Sequence, residues 1–356
     1  MKFVPALTSL RFFGALSVIF LHLGSKQIFI DIGLERFHIL ISGITGVVLF
    51  YVLSGFLLTN LALQEIRNTN SFDFKKFFFR RALRLFPLYY LSIFAILLLG
   101  VFGVTRVKLV SFLYAMFYSF NFVPRDSYNG HLGSFHTLAT EEHFYLFFAA
   151  LFAISTMSLG KWARFAIPMI LLGIVVSVDQ LRPTFATYSD DYFVARWTIF
   201  AIKPILVGCL AAFVYSSDTF RAFLRLIQSH PRIDAAFGLL LLIVFAGLYV
   251  GLAYHRSYSI AGIGFASFFV FLCRYSTSYT ARILSFGPLV YLGTISYGLY
   301  VWQAVIIGTG GSSRWIPSGP ASAALILVVS VLSYEYYEKW FLVKKSRYKV
   351  AGVPNP

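Results

Sequence analysis

Leu7-Thr8-Ser9-Leu10-Arg11-Phe12-Phe13-Gly14-Ala15-Leu16-Ser17-Val18-Ile19-Phe20-Leu21-His22 reads as a membrane helix carrying two ionisable side chains that lipid rejects. A bilayer core asks for about 20 mostly apolar residues, and the window 6–24 supplies them. Arg11 inside the apolar run, with no small-x-small pattern after it, argues for a retained span rather than a cleaved leader. Arg11 and His22 lie eleven positions apart, which at about 100° per residue brings them to within roughly 20° of one helix face and about 16 Å apart along the axis. A snorkelling arginine and a histidine satisfied by a carbonyl would account for the same pair.

The rest of the chain repeats this pattern. Of 356 residues, 58% are hydrophobic and 12% charged, and mean hydropathy is +0.76. A charged fraction half that of an ordinary soluble domain leaves too little polar surface to wet a globule, which disfavours a soluble enzyme, a disordered chain and a nucleic-acid-binding domain. The fold class expected is an all-α polytopic membrane protein. About ten spans are expected, at 6–24, 39–62, 85–104, 138–158, 163–178, 194–215, 235–253, 258–273, 288–308 and 320–342. A further apolar piece from Phe112 to Phe122 is too short to cross and reads as re-entrant or interfacial. Residues 1–343 are expected to form one transmembrane domain and 344–356 a basic tail. Cys209 and Cys273 sit in apolar stretches with no C-x-x-C pattern.

The net charge of +16 is sorted by the spans. With the N-terminus inside, 19 of the 30 Lys and Arg fall on the cytoplasmic side and nine on the other, with Arg11 and Lys203 inside spans. The positive-inside rule then places both termini in the cytoplasm, and the basic excess signals topology and anionic-lipid contact rather than nucleic acid.

Two further clusters carry chemistry. In His136-Thr137-Leu138-Ala139-Thr140-Glu141-Glu142-His143-Phe144-Tyr145 the adjacent carboxylates diverge by about 100° on a helix, so one faces the bundle. Glu141 is expected to be that one, orienting His22 as a general base; acidic residues complementing a helix start explain the pair equally well. Phe79-Arg80-Arg81-Ala82-Leu83-Arg84-Leu85-Phe86-Pro87 sets Arg80, Arg81 and Arg84 within one turn, a phosphate clamp or an ordinary positive-inside flank. Among weaker features, Ser54-Gly55 permits close helix approach. His131, His136 and His143 lack the HExxH arrangement and read as a polar rim rather than a metal site. Lys203 beside Pro204 is an expensive residue for a span.

Taken together, Leu10-Arg11 through His22, Gly46-Val47-Val48-Leu49-Phe50-Tyr51-Val52-Leu53-Ser54-Gly55-Phe56-Leu57, Arg80 through Tyr89, Leu138 through Leu146, and Ile295-Ser296-Tyr297-Gly298-Leu299-Tyr300-Val301-Trp302 recur in the order of a known group. The chain resembles the bacterial integral-membrane acyltransferase family 3. The resemblance implies an acyl-CoA-dependent O-acyltransferase of the bacterial inner membrane, acetyl being the expected acyl unit. The implied acceptor is a cell-envelope sugar such as lipopolysaccharide O-antigen or a lipid-linked precursor. His22 and Glu141 are then the catalytic residues and Arg11, Arg80, Arg81 and Arg84 hold the phosphates of acyl-CoA, which is a co-substrate rather than a resident cofactor. Direct transfer and an acyl-histidine intermediate both remain open. Two departures stand out: His136-Thr137-Leu138 replaces the family's Trp-Ser-Leu, and Gln303 follows Trp302 where a histidine is common. The second departure implies that position 303 is not a required catalytic imidazole.

The alternatives are acylation of a small hydrophobic acceptor such as a macrolide, and an ion-coupled transporter. The paired, interrupted repeat halves typical of transporters are not apparent in the sequence. Partners expected are acyl-CoA, a glycan acceptor and membrane lipids, with no nucleic acid; a homo-oligomer remains an alternative to a monomer.

Overall fold

A computed structural model describes residues 4–24, 30–31, 33, 38, 40–158, 162–186, 191–255, 258–308, 319–345 and 348, and among these it contains helices, turns and loops and no strand. Apolar runs opened by a capping side chain or a proline make the helices. α1 is Pro5–His22, with its proline in the first turn, where the missing N–H costs nothing. α2, Gly43–Thr69, is capped by Ser42 and ends at Asn70 in the left-handed region, φ 54°. α3, Phe74–Val101, is capped by Asp73, whose Oδ1 accepts from the Lys76 N–H at 2.9 Å. That hydrogen bond, aided by the Lys76 ammonium, holds the Asp73 carboxyl below its ordinary range.

The short piece between the third and fourth expected spans is a two-turn helix, α4 (Leu109–Met116), followed by 3-10 turns that lead into α5 (Phe135–Ser158). Then come α6 (Ala163–Ala186), α7 (Lys203–Ser216), α8 (Asp218–Gln228), α9 (Pro231–His255) and α10 (Tyr258–Arg274). The last group is α11 (Tyr279–Leu284), α12 (Gly287–Thr294), α13 (Ser296–Ile306), α14 (Pro320–Ser333), a π turn at Tyr334–Glu338 and α15 (Lys339–Lys345).

The described helices fall short of the expected ten spans. Among the described residues five are long and apolar enough to cross a bilayer, and seven if each of two bent pairs counts as one. Hydropathy reads through breaks that the backbone makes: α7 turns by 61° into α8 after Ser216, and α12 by 55° into α13 around Ile295. The third span also differs, because its helix starts at Phe74 rather than 85. Asp73 caps it early, so Arg80, Arg81 and Arg84 lie within α3 rather than on its flank.

Close packing fixes the bundle. α1 is flanked by α2, α12 and α13. Gly43 lies against Leu21 and Gly46 against Gly14, so α1 and α2 run antiparallel and place His22 and Arg67 at opposite ends. α2 and α7 meet backbone to backbone: a Cβ on Gly55 would sit 2.0 Å from the Ile205 carbonyl oxygen, and one on Gly208 2.1 Å from that of Val52. This is the close approach that Ser54-Gly55 suggested. The periphery is apolar too, with Leu239 and Ile243 of α9 59% and 57% exposed. In water such a face would aggregate; on a multi-pass membrane protein it faces lipid.

Candidate active site

A cavity of about 70 Å³ lies where α1, α2, α3, α5 and α13 converge. Arg11 of α1, Arg81 and Arg84 of α3, and Glu141 of α5 all line it, with Ser54, Tyr145, Tyr297 and Tyr300. Each reaches it by helical spacing. Arg81 and Arg84 are three apart on α3, while Glu141 and Tyr145 are four apart on α5. The break at Ile295 aims the first turns of α13 at the same space, so that Ser296, Tyr297 and Tyr300 form one wall.

Glu141 is fully engaged within the cavity. The Ser54 hydroxyl donates to its Oε1 at 3.0 Å and the Tyr145 hydroxyl to its Oε2 at 3.1 Å. The Arg81 guanidinium stacks over the Tyr145 ring, 5.1 Å from its centre. Three guanidiniums against one carboxylate leave the chamber cationic, an arrangement suited to an anionic or strongly polar ligand. Arg84 has a second carboxylate near it, Glu338, which acts on it electrostatically from the π turn. The widened turn packs Tyr334–Glu338 against α3, and the Ser333 hydroxyl donates to Glu338 at 3.2 Å.

His22 lies one helical layer beyond the cavity. Thr137 and Tyr300 of the lining hydrogen-bond each other, while the next turn of α13 carries Gln303 and the turn just before α5 carries Ser134. There His22 Nδ1 meets Gln303 Oε1 at 2.7 Å, and Gln303 Nε2 donates to Ser134 Oγ at 2.8 Å. An amide oxygen accepts only, so Nδ1 carries a proton, and in the neutral ring Nε2 is the free base. Gln303 is completely buried and Ser134 nearly so, and the chain His22–Gln303–Ser134 locks the imidazole.

The structure therefore regroups the expected residues. Glu141 faces the interior as expected, but it does not orient His22. Both its oxygens are taken by Ser54 and Tyr145, and the amide of Gln303 stands where the carboxylate was expected. Arg80 separates from its neighbours. It is absent from the cavity lining and pairs instead with the buried Glu65 of α2 at 3.5 Å while donating to the Tyr348 carbonyl at 3.0 Å. Position 80 lies about 100° around α3 from Arg81, and Glu65 captures it. Glu142 turns away from the cavity and is buried; among the described residues neither of its oxygens has a hydrogen-bond partner.

Among the described residues His131, His136 and His143 share no partner. His131 bonds the Ala304 and Val305 carbonyls at 3.2 Å, His136 the Gly133 carbonyl, and His143 the Thr198 hydroxyl at 2.6 Å. Burial pushes His131, in the 3-10 turn before α5, below the usual imidazole range. Its Nδ1–H donates to the last turn of α13, next to Gln303. Lys203 opens α7 at its first turn. Gln303, which the sequence reading set aside as a departure from the family, and Ser134, which it did not name, are the residues that meet at His22. For Gln303 a signal existed, since it occupies the place of the family's late histidine; Ser134 carried none.

A family model described as an acyltransferase domain matches residues 4–335. The peptidoglycan O-acetyltransferase OatA of Listeria monocytogenes is 28% identical over 333 residues, covering 86% of this chain and 50% of that protein. The "Putative peptidoglycan O-acetyltransferase YrhL" of Bacillus subtilis is 27% identical over 361 residues, covering 95% of the chain and 55% of its own length. The chain thus spans about half the length of these relatives. No solved structure is significantly similar. With the Arg11-to-His22 spacing, the cationic chamber and a family match over nearly all of its length, the chain belongs to the integral-membrane acyltransferase family 3.

Proposed function

We propose that this chain is an inner-membrane O-acetyltransferase that passes an acetyl group from a cytoplasmic acyl-CoA to a hydroxyl of a cell-envelope glycan. The observation that carries the reading is the cationic chamber of Arg11, Arg81 and Arg84 one helical layer away from the locked imidazole of His22. The peptidoglycan acetyltransferases among the relatives favour peptidoglycan over lipopolysaccharide O-antigen as the acceptor.

On this reading Arg11, Arg81 and Arg84 hold the phosphates of the donor, with Glu141 tempering their charge and fixing Tyr145 beneath Arg81, and the uncharged pantetheine arm carries the thioester on to His22. His22 Nε2 takes the proton of the acceptor hydroxyl. The alkoxide oxygen bonds to the thioester carbonyl carbon, the C–S bond breaks, and the leaving thiolate receives the proton from His22. Gln303 keeps Nε2 pointed along this path throughout. Arg80 belongs to the scaffold rather than to the donor site.

Mass spectrometry of envelope glycans from cells that lack the gene, complemented by wild type or by His22→Ala, tests this. Acetyl esters are expected to return with wild type only. Unchanged glycan acetylation in all three strains, with the protein present in the membrane, overturns the proposal.

A further inference from the structure

Glu338 is a buried carboxylate that the proposed mechanism leaves unused. It lies inside the apolar stretch Pro320–Lys344 and is 8% exposed, a costly place for an ionisable group without a task. A regular helix would not arrange it as it stands. Ser333 and Glu338 are five positions apart, about 140° around an α-helix, yet the Ser333 hydroxyl reaches Glu338 Oε1 at 3.2 Å. The π turn makes this reach, because its Tyr334 carbonyl accepts from the Lys339 N–H five residues on.

Two tethers bring the turn to the donor chamber. The Tyr337 hydroxyl donates to the Pro87 carbonyl at 3.4 Å and the Tyr297 hydroxyl to the Leu85 carbonyl at 2.9 Å, both just past Arg84 on α3. The next residue of each segment is Glu338 and Gly298, and a Cβ on Gly298 would lie 3.4 Å from Glu338 Oε1. A glycine on α13 thus leaves the carboxylate its space behind the chamber wall that Tyr297 forms. Arg84 and Glu338 act on each other electrostatically, but among the described residues no ion pair joins them. The carboxylate therefore lowers the positive potential at Arg84 without occupying its N–H groups, which stay available to a phosphate.

We propose that Glu338 is an electrostatic counterweight of the donor site, weakening its hold on anions so that spent coenzyme A leaves after transfer. This role presupposes the acyl-CoA donor proposed above. The test measures coenzyme A binding to full-length protein in nanodiscs by surface plasmon resonance, which gives affinity and release rate together, at about pH 8.5, above the ordinary carboxylate range. Glu338→Gln keeps the shape and can still accept from Ser333; it is expected to bind coenzyme A about tenfold more tightly, through slower release. Glu338→Asp keeps the charge and should stay near wild type. So should Glu335→Gln, in the same turn but paired with Tyr291 and Lys339. The gain in Glu338→Gln should shrink for dephospho-coenzyme A, which carries less charge. Equal or weaker coenzyme A binding by Glu338→Gln overturns the role. An equal gain for both ligands, or a gain of the same size in Glu338→Asp, makes the effect one of packing and overturns it too. A wild type that binds no coenzyme A overturns the donor reading, and this role with it.

Discussion

On the proposed mechanism Gln303 does for His22 what a histidine or carboxylate partner does in other general-base pairs, but it does so without charge. Its amide oxygen accepts a hydrogen bond from Nδ1–H at 2.7 Å, and its own N–H₂ is anchored on Ser134, so tautomer and ring plane are fixed together. Removing that anchor leaves the imidazole free to rotate, and misplacement of a base by about 1 Å can cost about 10²-fold in rate. Gln303→Ala is therefore expected to lower kcat by about that factor with little change in donor KM, and Gln303→His to recover much of it, as steady-state kinetics would reveal. The arginines divide in the opposite way. Replacing Arg81 and Arg84 by Gln should raise donor KM at least tenfold, each charge-assisted contact being worth about 1.5–3 kcal/mol. Arg80→Gln takes the charge partner from the buried Glu65 and leaves it the Asp73 N–H, so it is expected to lower the melting temperature in detergent while donor KM in the surviving protein stays near wild type. A rise in donor KM for Arg80→Gln comparable to that of the Arg81 and Arg84 change would return Arg80 to the donor site.

Helices hold the site by how closely they can approach. The α2–α7 contact at Gly55 and Gly208 leaves no room for a methyl group, because each added carbon would meet a carbonyl oxygen of the facing backbone. Gly55→Ala must push α7 away and is expected to cost about 1–3 kcal/mol, read as a lower melting temperature. Gly247→Ala in α9, where nothing lies within 4 Å, is the matched control and should be neutral or slightly stabilising. At the start of α3, Asp73→Ala removes the cap of the helix that carries the site arginines and should cost about 1 kcal/mol. Since the folded structure lowers the Asp73 pKa, the cap contributes fully above the ordinary carboxylate range and is lost as pH falls through the lowered value. The difference between wild type and Asp73→Ala should therefore shrink in acid, as thermal melts across pH would register.

At the scale of the whole molecule, the charge asymmetry and the antiparallel α1–α2 pair make one expectation about topology: the end with Arg67 and Arg81 is cytoplasmic and His22 lies toward the outer face. A reporter fused after residue 356 that fluoresces only in the cytoplasm is expected to be bright, and a dark fusion with normal expression would reverse the direction of transfer. That the protein is helical and membrane-embedded was legible in composition, and the Arg11-to-His22 face was legible in helical periodicity, because both depend on local spacing along one chain. The interior position of Glu141 was legible for the same reason. Partnerships were not. Gln303 lies 281 positions from His22, Glu65 takes Arg80 out of the cationic group, and Ser54 and Tyr145 occupy Glu141; each pairing depends on which helices touch and at what rotation. Sequence alone thus determined the material, the faces and the candidate chemistry, through hydropathy and the fixed turn of the helix. Tertiary structure alone decided which carboxylate, amide and guanidinium meet, because packing at the glycine contacts and the bends at Ser217 and Ile295 set distances that no local pattern encodes.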